Sequence, residues 1–115
     1  MITIDKKNLN IPDEVVSFEN GRLALINVGG ASVAQAVFDP GWRWSEHVGS
    51  GSGATSCSIP HLGYVVSGRL MIAMDDGTRI EMGPGDVATI PPGHDGWTVG
   101  DEPCVFLEFP PPTDN

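Results

Sequence analysis

The run HLGYVVSGRLMIAMDDGTRIEMGPGDVATIPPG, His61 to Gly93, decides the fold. Short apolar stretches alternate with polar residues, and each ends at a glycine, proline or aspartate. His61 to Ser67 reads as a strand broken at Gly68. Arg69 to Met74 follows, then the hairpin turn Asp75-Asp76-Gly77 and a return strand, Thr78 to Met82. Gly83-Pro84-Gly85-Asp86 turns the chain again into Val87 to Ile90, which stops at Pro91-Pro92-Gly93. Beyond it, Gly96 to Val99 and Cys104 to Phe109 are predicted strands. Upstream, Arg22 to Val28 and Ser32 to Phe38 are two more. No stretch repeats apolar residues at helical spacing for long, so the class is all-β, a sandwich or barrel.

The segment from Trp42 to Val48 reads as a further strand. Period two puts Trp42, Trp44 and Glu46 on one side and Arg43, Ser45 and His47 on the other. Gly49 to Ser56 carries no large apolar side chain and reads as a flexible loop. Residues 1–20 form an N-terminal arm with room for one edge strand, residues 21–109 the barrel, and residues 110–115 a proline-rich tail.

Composition narrows the function. The 115 residues carry 6 basic and 15 acidic side chains, a net charge of −9. The cations, Lys6, Lys7, Arg22, Arg43, Arg69 and Arg79, form no stripe, which argues against nucleic acid and against an anionic membrane. Cys57 and Cys104 are too few for a disulfide framework. No signal-like or membrane-spanning apolar run occurs, so a cytoplasmic location is expected.

From Pro40 to Phe109 the chain resembles the cupin superfamily. Its first motif is Gly, five residues, His-x-His, three or four residues, Glu, six residues, Gly. Gly41 and His47 match its opening, and His61 to Gly68 its closing half. The second motif is Gly, five residues, Pro-x-Gly, two residues, His; Gly85 to Gly93 matches its start. The resemblance implies a double-stranded β-helix, the cupin jelly-roll barrel, with a metal held by three His and one Glu.

The ligand positions are altered here. The second His position is Gly49, the Glu position is His61, and the last His position is Gly96. The stretch Gly49 to Pro60 also lengthens the first motif. Aligned without that insertion, Cys57 takes the second His position and Thr55 the first. Yet His47, His61 and His94 all fall in or beside the motifs, and His94 shares Gly96's face if the chain is extended. These three, with Cys57, are the candidate metal ligands. Imidazole and thiolate suit Zn, Fe, Ni or Cu rather than Mg or Ca; an altered set is equally compatible with no metal. Glu46 and Asp95 are candidate acid–base groups, and Tyr64 and Trp97 candidate contacts to a bound molecule. Trp42 and Trp44 either line the pocket or form an interface, the latter favouring a homodimer.

Three readings follow, in this order: a small-molecule-binding or sensing cupin with a degenerate metal site; a metal-dependent enzyme of dioxygenase or isomerase type on a small polar substrate; a dimeric interaction module.

Overall fold

The computed structural model describes residues 3–109. The strands are β1 (Glu14–Phe18), β2 (Gly21–Val28), β3 (Ala31–Phe38), β4 (His61–Ser67), β5 (Leu70–Met74), β6 (Arg79–Met82), β7 (Val87–Ile90), β8 (His94–Thr98) and β9 (Cys104–Phe109). They build a six-stranded sheet, β1-β2-β3-β9-β4-β7, and a three-stranded sheet, β6-β5-β8. Every pairing is antiparallel. This is the jelly-roll barrel the motifs imply. No helix among the described residues is long and apolar enough to cross a membrane.

Alternation fills the space between the sheets. Gly63 and Val65 of β4, Leu70 and Ile72 of β5, and Cys104 and Phe106 of β9 point inward and are buried. Gly63 has no side chain because the Phe106 ring occupies that volume; a Cβ there would collide with it. Where β4 ends, its register against β9 shifts between Val65 and Ser67. Gly68 follows at φ 76°, and its Cα lies so close to the Pro103–Cys104 backbone that a Cβ would stand 2.6 Å from Cys104 Cα. Both cysteines are free and buried. Burial pushes the Cys104 thiol up to about 11, so it is a core side chain.

Three elements depart from the sequence reading. Trp42 to Val48 is not a strand. Arg43 is extended, but Trp44–His47 forms a one-turn helix, α1, with His47 N donating to Arg43 O and Val48 N to Trp44 O, both 2.9 Å. Asp95 of β8 sets it in place by accepting from Ser45 N at 3.0 Å and Ser45 Oγ at 2.8 Å. Trp44 and Val48 are four apart as well as evenly spaced, so so short a run fits either period. The following loop is ordered at its start by a 3₁₀ turn, Gly49–Ser52, with Ala54 N donating to Gly49 O at 3.0 Å. Strand β8 begins at His94, two residues before the expected Gly96. The N-terminal arm carries β1 at the edge of the large sheet, and its Phe18 packs against the core. The tail, residues 110–115, lies outside the described residues.

Candidate functional site

Three strand ends and one loop converge at one corner of the barrel. His61 opens β4, His94 opens β8, and Glu108 lies near the end of β9. Cys57 reaches the corner through the backbone. It pairs with His94 as an isolated bridge, its N–H donating to His94 O at 2.6 Å and its carbonyl accepting from Gly93 N at 2.8 Å. One ligand atom from each of Cys57, His61 and His94 lies within 4.8 Å of the others. Cys57 Sγ is 3.7 Å from His61 Nε2, and the two imidazoles meet edge to face with centroids 5.0 Å apart. Cys57 and His94 are each 4% exposed.

The hydrogen bonds behind the rings fix which nitrogen is free. His94 Nδ1 lies 2.8 Å from the Pro91 carbonyl, which only accepts. The proton therefore sits on Nδ1 and the lone pair on Nε2. His61 Nδ1 bonds the Glu108 carboxylate, which leaves Nε2 of His61 as the lone-pair atom facing Cys57. A carboxylate or carbonyl behind each imidazole is the arrangement that orients metal-ligating histidines. A tetrahedral ion bonded to sulfur at about 2.3 Å and nitrogen at about 2.05 Å holds those atoms roughly 3.5 Å apart. The Cys57–His61 separation is already close to that. The donor set thus fits a transition metal, with a fourth position left for water or a ligand atom.

Burial, and then the neighbouring His94, push His61 from its ordinary 6.5 down to about 4. The ring is neutral at physiological pH, so Glu108 holds an Nδ1–H rather than an imidazolium. The unfolded chain takes up this proton first. Stability of the metal-free protein is therefore full above about pH 6.5 and falls as pH drops toward about 4. The loss is on the order of 2 kcal/mol, less than the full shift would give, because the ring is partly exposed and solvent screens it. Urea unfolding of wild type and His61→Gln at pH 7 and 4.5 measures it. Equal losses in the two proteins would show that His61 is not the group responsible.

Beside this corner the barrel holds a partly open cavity of about 320 Å³. Its walls are Val16, Phe18, Leu23, Phe38, Trp42, Trp44, Val48, Leu70, Ile72, Ile90, Gly96 and Phe106; its polar lining is His61, His94 and Glu108. Trp42 stacks on Phe38 with centroids 4.0 Å apart. Its indole N–H is buried with no hydrogen-bond partner among the described residues. Trp42 and Trp44 therefore line the pocket, which resolves the two placements open from sequence.

The other sequence candidates lie elsewhere. His47 is not in the metal group: the helical turn points its Nδ1 back to the Arg43 N–H, 2.9 Å away. Tyr64, three residues after inward His61, is on the other face of β4, as alternation requires, and does not line the cavity. Asp95 and Trp97 alternate with inward His94, Gly96 and Thr98 and face out from the barrel. Burial would raise the Asp95 carboxyl, but Ser45 and Arg43 hydrogen bonds outweigh it and hold the group below its usual range; its role is to anchor α1. Trp97 carries the Arg43 guanidinium at 4.6 Å and that of Arg79 at 5.3 Å. Glu46 is exposed on α1. Glu108 is the cavity-lining carboxylate that sequence reading missed, although alternation from Cys104 and Phe106 puts it on the inward face.

Comparison with known proteins gives a consistent picture. The Cupin domain family model matches residues 48–110. No curated protein matches. Among solved structures, a sugar phosphate isomerase from a cupin superfamily, from Silicibacter pomeroyi, superposes with a TM-score of 0.65 at 18% identity, over 90% of this chain and 73% of that one. The polyketide cyclase RemF of Streptomyces resistomycificus gives 0.59 at 20% identity, over 85% and 72%. A protein of unknown function from Acidithiobacillus ferrooxidans gives 0.61 at 15% identity, over 84% and 86%. At these identities the likeness is one of fold.

Proposed function

This chain belongs to the cupin family, and from that we propose that it is a small-molecule-binding cupin whose barrel receives a mostly apolar molecule against a transition metal held by Cys57, His61 and His94. The observation that carries this reading is the union of an aromatic-walled cavity with a single polar corner made of His61, His94 and Glu108, next to Cys57. Thiolate and imidazole favour Zn, Cu, Fe or Ni over Mg or Ca. A bound metal supplies one open coordination position for an oxygen or nitrogen of the ligand. Glu108 orients His61, and the apolar walls exclude water from the rest of the molecule. This lining argues for an apolar body with one polar end, in place of the small polar substrate that the alternative enzyme reading expected.

A catalytic version of the same reading is favoured by one observation. Glu108, unlike Glu46 and Asp95, lines the cavity, where a carboxylate can accept or return a proton. The interaction-module reading loses its basis, because Trp42 and Trp44 are turned into the barrel. The expected homodimer stays within the proposal; Val15 on edge strand β1, 53% exposed, offers it an apolar contact.

Elemental analysis of the untagged protein is the test. The expected result is about one transition metal per chain, bound roughly 10–100-fold more weakly in Glu108→Ala, since the orienting partner of His61 is gone. No metal after exposure to Zn, Fe, Ni and Cu salts would overturn the metal site and leave a metal-free binding cavity.

A further inference from the structure

We infer that Ile72 and Ile90 are specificity-determining residues: they form the wall that closes the main cavity against a second apolar cavity, and so limit the size of the ligand's alkyl substituent. The inference rests on the apolar-ligand reading above. The second cavity, about 220 Å³, lies where β6 and β7, each at the edge of its sheet, leave a seam in the barrel. Met74, Ile80, Met82 and Ala88 line it, with Thr78 and Thr89 as its polar side chains. Ile80 is 62% exposed, so the seam opens to solvent.

Ile72 and Ile90 line both cavities, and no other described residue does. One comes from each sheet, and they are 9% and 5% exposed. Ile90 stands opposite His61 in the β4–β7 ladder, and Ile72 opposite Gly96 in the β5–β8 ladder. Ile90 therefore stands one strand away from His61, and Ile72 one strand away from the residue two along from His94. A substituent growing from the polar corner toward the seam meets these two side chains, the ones shared by both linings, with Met74, which stands opposite His94, beside them. Shortening either one joins two apolar spaces, and the group the joined space accepts is a straight alkyl chain.

Benzene, ethylbenzene and n-hexylbenzene, followed by isoleucine methyl NMR, test this without reference to any metal. Wild type is expected to bind the two short probes and to bind n-hexylbenzene about tenfold more weakly. Ile72→Ala and Ile90→Ala are each expected to raise the affinity for n-hexylbenzene relative to benzene about tenfold over wild type, as several methylenes gain burial. Adding Ala88→Leu, which fills the seam cavity, cancels the gain. Should an alanine variant not fold, Ile90→Val carries the same test with a smaller gain for n-hexylbenzene. Variants that fold and bind benzene but gain nothing for the long probe overturn the wall alone. If no probe of any length enters wild type, the apolar-ligand reading falls and takes the wall with it.

Discussion

With a transition metal in the proposed site, His61→Ala and His94→Ala are each expected to release it, with a fall in affinity beyond the roughly 10–100-fold that outer partners of metal ligands cost. Each substitution removes one of three protein donors. Two donors cannot hold an ion against chelators when the remaining positions must be filled by water. His47→Ala is the informative control. Its Nδ1 is already engaged by the Arg43 backbone N–H, so its loss leaves metal content unchanged. Titration with a competing chelator, alongside circular dichroism to confirm folding, reads all three. Full metal occupancy in His61→Ala would remove the assignment of this corner as the ligand set.

Gly68→Ala is expected to be strongly destabilising. Two costs coincide there: a left-handed backbone at φ 76°, and a Cβ forced against the Pro103–Cys104 main chain. A flexible side chain could move aside, but paired backbone cannot. The expected loss is about 3 kcal/mol or more, a fall in Tm of roughly 10 °C or more. Gly77→Ala separates the two costs. Its φ is 93°, but nothing lies within 4 Å of the added atom, so it pays the backbone cost of about 1 kcal/mol only. Similar melting points for the two variants would show that crowding at the β4–β9 register shift has no energetic weight.

The strands from β2 to β9 were legible because each carries a period-two pattern closed by a turn residue. Strands β4, β7 and β9 match the sequence limits to the residue. Reading Trp42 to Val48 as a strand failed because Trp44 and Val48 satisfy both periods, and the deciding interaction, Asp95 with Ser45, is fifty residues away in sequence. That failure carried His47 into the ligand list: its spacing from Gly41 fits the family motif, but a helical turn rather than a strand delivers it. Cys57 was recovered only by the gap-free alignment, and the backbone bridge to His94 that brings it in has no sequence signature. That Asp95 and Trp97 do not line the cavity was legible too, since the alternation that turns His94 inward turns both of them outward. Glu108 was open to the same rule, applied to the last strand.

The Cys57–His94 bridge separates the placement of a metal ligand from the length of chain leading to it. The thiol is held by β8, so the preceding segment can change length without moving it. Gly51 and Gly53 are exposed, with open space around each. A doubling of loop length there costs only about 0.6 kcal/mol in closure entropy. The segment is thus a natural graft point, where a foreign peptide or reporter domain can be displayed beside the barrel mouth while the inner corner keeps its geometry.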